Sequence, residues 1–343
     1  MRLLYHTAFL EHIPPFPHPE RPQRMIIALE ALEKAGFSTL DRDFSPARVE
    51  DLHRVHAPAY VESILGKINS GVSVLDGDTY LSRGTAKAAL YATGAALRAA
   101  ELANNGEMAF AIVRPPGHHA GKRGRALGVQ TQGFCIFNNS ALATARLLEL
   151  GLKRVAIIDF DAHHGNGTME IFYSDPRVLI IDFHEDPVTL YPGTGFLSDV
   201  GEGEGEGYKV NVVLPPGSGD DVYELAVEEI GDPLLESFKP EAIVFSAGFD
   251  SYAGDGLTHL KAGIYTFTKF GSLYRSHGIR CIVAVLEGGY DEGLGKGLPA
   301  FVSSLAGQSL VTVKKMCSAE AVRKLAREYV AELKLLLRRY WSI

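Results

Sequence analysis

In the stretch Val155-Ala-Ile-Ile-Asp-Phe-Asp-Ala-His-His-Gly-Asn-Gly167 an apolar run ends abruptly in carboxylates and imidazoles. Side chains on an extended strand alternate faces. Asp159, Asp161 and His163 are therefore expected on one side, with Phe160 and Ala162 on the other. A carboxylate beside a neutral imidazole suits a divalent metal such as zinc. A further acid behind them suits the task of holding a ligand in place. Charged residues are almost never fully buried unless paired. Three titratable groups on one strand face thus argue for a metal rather than for a strand that merely ends in polar loop residues.

Such a cluster needs a scaffold. Short apolar runs recur at 3–5, 109–113, 155–160, 178–183, 210–214, 242–246 and 282–286, several of them rich in Val and Ile as buried strands are. Stretches with helical character lie between most of them, at 85–102 (rich in alanine), 140–150, 220–238 and 261–276. Alternation of strand and helix implies right-handed crossovers and a mainly parallel sheet covered on both faces. The expected fold is α/β, a three-layer α-β-α arrangement forming one domain over 1–343 with elaborated active-site loops. The Gly/Glu stretch at 201–207 reads as a solvated loop, too short to separate domains. An amphipathic helix is expected over about 318–340, with Ser318 as its N-cap.

In open α/β sheets ligands bind beyond the carboxyl ends of the strands. Five runs here lead into unusual residues at that edge: Arg114-Pro-Pro-Gly-His118-His119, Asp159 to His163, Asp182-Phe-His-Glu185, Ser246-Ala-Gly-Phe-Asp250 and Glu287-Gly-Gly-Tyr290. Clustered charge is costly to desolvate without a task or a partner. Asp161, His163 and Asp250 could supply three ligands to one metal and leave a position open, the layout of a catalytic rather than a structural site. His118 and His119 suit a general base and acid. Tyr290, on its Gly-Gly turn, suits donation to a developing oxyanion. Each has a plainer alternative taken alone: a solvated His-His loop, Asp250 as a helix N-cap, Tyr290 as an ordinary half-buried tyrosine.

The net charge of −7 argues against a nucleic-acid binder, which would carry a basic face. Three cysteines without paired spacing argue against a disulfide framework and for a reducing, cytoplasmic setting, with Cys135 and Cys281 as inert core thiols. No apolar window is long enough to span a bilayer, and the first residues lack a signal-peptide core.

Taken together, the motifs resemble the histone deacetylase superfamily, whose fold is shared with arginase. The matching pieces are His18-Pro-Glu-Arg-Pro-Gln-Arg24, Arg114-Pro-Pro-Gly-His-His-Ala120, Gly133-Phe-Cys-Ile-Phe-Asn-Asn139, Asp159-Phe-Asp-Ala-His-His-Gly-Asn-Gly-Thr168, Tyr191-Pro-Gly-Thr-Gly195, Ser246-Ala-Gly-Phe-Asp250 and Glu287-Gly-Gly-Tyr290. They run in family order up to about residue 305, with the look of the class II and prokaryotic branches. The resemblance implies zinc on Asp161, His163 and Asp250. It implies His119 as the main general base and acid, with His118 an electrostatic partner backed by Asp159. Asn166 matches the position that orients His119, and Tyr290 the oxyanion donor. Phe134 and Tyr191 match the walls of a narrow acyl-lysine tunnel, and Gly133 a carbonyl that meets the substrate amide.

The resemblance further implies monovalent cations, potassium or sodium. One site would use Asp159, Asp161, His163, Asp182 and Phe183; a second, peripheral one would use carbonyls near Phe172, Asp175, Val178 and Tyr208. Asp182 stands where serine is common, which should strengthen cation binding or perturb Asp159. After Asp250 the chain reads Ser-Tyr-Ala-Gly-Asp255-Gly-Leu257-Thr, without the proline usual there. Leu257 lies near the place of a gatekeeper glutamate in a polyamine-selective relative. The expected activity is zinc-dependent removal of acetyl groups from amines, either acetyl-lysine of proteins or small acetylated amines such as acetylpolyamines. No direct nucleic-acid or membrane partner is implied. An arginase-like ureohydrolase also begins its metal motif Asp-Ala-His, but needs a carboxylate where Gly165 stands. A pseudoenzyme that binds acylated ligands is the non-enzymatic alternative.

Overall fold

The computed structural model describes residues 1–308 and 314–343. In chain order its strands are β1 (Arg2–Leu4), β2 (Ala109–Ala111), the hairpin strands β3 (Ala120–Gly121) and β4 (Gly124–Arg125), β5 (Val155–Asp159), β6 (Val178–Glu185), β7 (Lys209–Leu214), β8 (Ala242–Ala247) and β9 (Cys281–Leu286). Apart from the hairpin, they form one parallel sheet in the order β1-β2-β9-β8-β5-β6-β7. Each of the seven apolar runs read from the sequence supplies one strand. A parallel strand is covered on both faces, so it reads as an unbroken apolar run rather than an alternating one.

Strand β8 shows how the two faces differ. Ser246 turns its hydroxyl to Ser140 on the helix Asn139–Glu149, at 2.8 Å. Its neighbour Phe245 points the opposite way, edge-on to Phe301 at 5.4 Å on the helix Leu298–Leu305. On the first face the helices Thr85–Asn104 and Asn139–Glu149 pack against each other and the sheet. Ala88, Ala92, Ala95, Ala96 and Ala99 are fully buried there, and side chains that small let a long helix lie close to the strands. On the other face Phe160, Phe245, Phe249, Phe267, Phe270 and Phe301 form an aromatic cluster, with Phe160 stacked on Phe270 at 4.8 Å. This is the α/β, three-layer, mainly parallel fold expected.

Local boundaries differ in instructive ways. The helix read at 220–238 is interrupted by a wider π-type turn, Val227–Gly231, just before Pro233; a second, Gly293–Gly297, precedes Pro299. Proline lacks an N–H and crowds the carbonyl four residues back, and a wider turn relieves both problems. Ser318 is not the N-cap of the last helix, which runs Glu320–Leu337 with Ala319 at the cap position. Its hydroxyl instead donates to Asp221 and accepts from the Gly219 N–H, fastening the segment to the start of another helix. Ala326, Val330, Leu333 and Leu337 then bury one stripe of that last helix. Among the described residues no helix is long and apolar enough to cross a membrane.

The N-terminal segment is bound to the sheet edge by a buried polar network. Glu20 receives Arg114 and Arg24, and the Tyr80 phenol at 2.7 Å. Burial would raise the Glu20 pKa, but its neighbours, Arg114 foremost, hold it at about 2. Arg24 also donates to the carbonyls of Glu287 and Gly289, so residues 18–24 support the turn that carries Tyr290.

Candidate metal centre and active site

Strand β5 stops at Asp159, four residues short of His163, to which the alternation argument extends. Asp161 and His163 lie on the turn beyond it. They still face the same side, because each side chain caps the next backbone group. Asp159 Oδ1 accepts the Asp161 N–H at 3.1 Å, and Asp161 Oδ1 accepts the His163 N–H at 2.9 Å. Phe160 leaves in the other direction, into the aromatic cluster.

Asp250, at the end of the segment after β8, joins them. Nδ1 of His163 lies 3.0 Å from Asp161 Oδ1 and 2.9 Å from Asp250 Oδ2. Ligand atoms of all three residues lie within 4.8 Å of one another, and among the described residues no fourth histidine, cysteine or carboxylate joins this group. The remaining carboxylate oxygens are tied to the backbone: Asp161 Oδ2 accepts Gly288 N–H at 2.8 Å, and Asp250 Oδ1 accepts Ala162 N–H at 2.9 Å. Burial opposes a charge on His163, yet Asp250 and Asp161 lift its pKa to about 10. Two buried carboxylates gathered on one imidazole give the pocket the negative charge that a divalent cation would neutralise. Two carboxylates and an imidazole, with no fourth protein ligand among the described residues, fit a catalytic divalent ion. Gly288 is needed here, since a Cβ on it would stand 2.4 Å from Asp250 Oδ2 and 2.5 Å from Asp161 Oδ2.

The tandem histidines sit beside this group and have opposite environments. His118 Nδ1 lies 3.0 Å from Asp159 Oδ2, and the two residues are buried. Burial would lower the His118 pKa, but Asp159 and Asp161 raise it well above the usual histidine range. His119 Nδ1 lies 2.7 Å from Asn166 Oδ1. The Asn166 amide nitrogen donates to the Ala126 carbonyl, which points the amide oxygen at the ring. His119 Nδ1 therefore carries the hydrogen and Nε2 is left as an acceptor. Burial, then the nearby His118 and His163, push the His119 pKa well below the usual range. One ring is built to stay charged, the other to stay neutral. The turn bearing them is clamped by Glu287, which accepts the N–H groups of Gly117 and His118 at 2.7 and 3.2 Å and the Ser140 hydroxyl at 2.9 Å.

Tyr290 is buried, and burial raises its pKa well above the usual phenol value; the Arg24 guanidinium, 4.8 Å from the ring centre, pulls the other way. The phenol stays a proton donor. Phe134 meets the Tyr290 ring edge-on at 6.0 Å, and Tyr191 meets His119 at 5.1 Å. Gly133 lies between the two walls: a Cβ there would stand 2.4 Å from the His119 ring and 2.8 Å from Tyr191, at a φ of +53°. Phe134 itself has a φ of 69°, a left-handed conformation that costs a bulky residue about 1–3 kcal/mol. The N–H groups of Gly133 and Phe134 are held by Asp78 Oδ1 and Thr79 Oγ1, both at 3.1 Å. Leu257, by contrast, is exposed on the loop after Asp250 rather than gathered with these groups.

The cation expectations fare differently. Asp182 pairs with Asp159 across β5 and β6; its carboxylate accepts the Gly165 N–H at 2.8 Å and lies 2.7 Å from His184 Nδ1. Burial raises the Asp159 pKa; His118 opposes this and Asp182 adds to it. At the peripheral site expected at Phe172, Asp175, Val178 and Tyr208 the carbonyls meet a lysine. The Lys209 side-chain nitrogen lies 2.8 Å from the Val178 carbonyl, 3.1 Å from that of Asp175 and 3.5 Å from that of Tyr208. A tethered amine occupies the carbonyl cage that the resemblance gives to an ion, while the Phe172 carbonyl accepts the Asp175 N–H. Burial lowers the Lys209 pKa to about 7, and either protonation state keeps N–H donors for these carbonyls. Lys209→Ala removes this donor, although the Tyr208 and Asp175 carbonyls keep the Ile180 and Val178 N–H groups, and is expected to lower stability by about 1–3 kcal/mol. Urea unfolding measures this, and a midpoint equal to that of the unaltered protein would show that the cage needs no donor.

Sequence reasoning missed four contributors: Lys209, the Asp78–Thr79 pair, the role of Arg24 beneath Tyr290, and Asp255, which accepts N–H groups of the Tyr290 turn. Only Arg24 had a signal, as the last residue of a recognised motif.

Residues 18–305 match the histone deacetylase domain family. An uncharacterised protein of Methanocaldococcus jannaschii is 43% identical over 303 residues, which cover 88% of this chain and 86% of that protein. A probable deacetylase of Archaeoglobus fulgidus is 38% identical, covering 91% of this chain and 88% of its own. A histone deacetylase-like amidohydrolase of Pseudomonas aeruginosa is 36% identical, with 80% and 73% covered. The crystal structure of the HDA15 HD domain aligns with a TM-score of 0.89 at 30% identity, covering 99% of this chain and 94% of that one.

Proposed function

The chain belongs to the histone deacetylase family, and from that premise we propose that it is a zinc-dependent amidohydrolase that removes acetyl groups from N-acetylated amines, above all acetyl-lysine side chains of proteins. The observation that carries this reading is the convergence of Asp161, His163 and Asp250 next to a charged histidine, a neutral histidine and a buried phenol. When bound, the ion supplies a Lewis acid for the acyl carbonyl and for a water. The protein's own groups do the rest. His119 takes a proton from the attacking water at Nε2 while its Nδ1–H stays on Asn166. The same proton then goes to the departing amine nitrogen, so water and amide become acetate and amine. His118, backed by Asp159, keeps a positive charge beside the developing negative one. The Tyr290 hydroxyl donates to the carbonyl oxygen as it becomes an oxyanion. Phe134 and Tyr191 flank the aliphatic stem, Gly133 offers its carbonyl to the amide N–H, and Leu257 contributes to the rim.

A monovalent cation on carbonyls around Asp159, Asp161, His163, Asp182 and Phe183 would offset the local acidity, to which both Asp159 and Asp182 contribute. The free cysteines fit a reducing, cytoplasmic setting. A ureohydrolase reading is disfavoured by Gly165, where even a Cβ would stand 2.6 Å from Asp159 Oδ2 and 3.2 Å from Asp182 Oδ2. The second metal's carboxylate has no room.

The test is product release by zinc-loaded protein from an acetyl-lysine peptide, an acetylpolyamine and arginine. Acetate from the peptide supports the proposal. Acetate from the polyamine alone would move the substrate to small amines. Urea alone, or no product at all, would overturn it.

A further inference from the structure

The proposed role of Tyr290 makes a demand that the turn carrying it cannot meet alone. Gly288 and Gly289 precede it, and a glycine pair leaves the backbone free to wander. Arg24 holds the carbonyls of Glu287 and Gly289, and Asp161 the Gly288 N–H; the N–H groups from Tyr290 onward are held by another loop. Asp255 accepts the Tyr290 N–H with both carboxylate oxygens, each at 3.1 Å, and Oδ2 also accepts the N–H groups of Asp291 at 3.2 Å and Gly293 at 3.0 Å. Glycines in left-handed conformations flank it, Gly254 at φ 97° and Gly256 at φ 98°, and the loop turns its one carboxylate inward. Asp255 is 6% exposed and, among the described residues, forms no salt bridge with any lysine or arginine. A buried carboxylate satisfied mainly by backbone N–H groups is expensive to keep. The turn it holds is its task.

We propose that Asp255 is the positioning residue for Tyr290, fixing the turn so that the phenol reaches the substrate oxygen as charge develops there. This inference rests on the deacetylase reading. It assigns a function to the segment 251–257 that the proline-free departure leaves in place.

Asp255→Asn keeps the shape but replaces one acceptor oxygen by an amide NH2 group facing N–H donors. With an acetyl-lysine peptide, kcat is expected to fall about 10–100-fold, with KM and bound zinc unchanged. The decisive readout is the ratio of rates on acetyl-lysine and trifluoroacetyl-lysine peptides in one sample, because the folded fraction cancels from it. Fluorines stabilise the oxyanion by withdrawing electrons, so the variant should lose much less on the trifluoroacetyl peptide. In a Tyr290→Phe background, Asp255→Asn should add nothing further. Equal losses on both peptides, additive losses, or a wild-type rate on acetyl-lysine would each overturn the positioning role while the deacetylase reading stands. Unaltered protein inert toward both peptides would sink the two together.

Discussion

Tyr290→Phe is expected to keep the metal and the fold while kcat on an acetyl-lysine peptide drops about 10²–10³-fold, the usual cost of losing one oxyanion donor. The substitution removes a single oxygen. The ring keeps its edge-on contact with Phe134 at 6.0 Å and its stacking against the Arg24 guanidinium, 4.8 Å from the ring centre. The three proposed metal ligands hold one another and the backbone, without help from the phenol hydroxyl. KM should therefore stay near its original value, because the hydroxyl acts on charge that exists only in the transition state. Steady-state kinetics with metal analysis of the same preparation checks this. A rate within twofold of the unaltered protein would mean that some other group stabilises the oxyanion.

That prediction could be made from the sequence, and the reason is physical. Parallel strands buried on both faces leave continuous apolar runs, and in a parallel sheet all carboxyl ends meet at one edge. The runs therefore place Asp159, Asp250 and Tyr290 at one edge from the sequence alone. What stayed hidden were contacts between residues whose pairing leaves no local pattern. Arg114 and Glu20 are 94 residues apart and bond in the interior. Asp255 serves backbone N–H groups, which every residue but proline offers, so nothing in the sequence marks its partner. Lys209 opens an apolar strand, where a lysine reads as a solvated end; only the carbonyls that curl around it make burial tolerable. The early end of β5 was equally unreadable, because the Asp-x-Asp-x-His turn keeps the facing that a longer strand would have given.

The site's electrostatics follow from how each charge is backed. Acids surround His118, and an amide alone supports His119. His119→Ala should lower kcat/KM about 10³-fold, within the range for removing a general base and acid. The finer test is Asn166→Asp. His119 must be neutral to accept a proton, so the acid limb of the kcat/KM profile reports its pKa, which burial and the neighbouring His118 hold below the usual histidine range. A carboxylate at 2.7 Å from Nδ1 would favour the charged ring and raise that pKa. The acid limb should then move to higher pH by at least about one unit, with activity lost first on the acidic side. A profile of kcat/KM from pH 5 to 9 for both proteins measures the shift. An unmoved acid limb, or one displaced to lower pH, would mean that the proton passes through His118 instead, and the roles of the two rings would have to be exchanged.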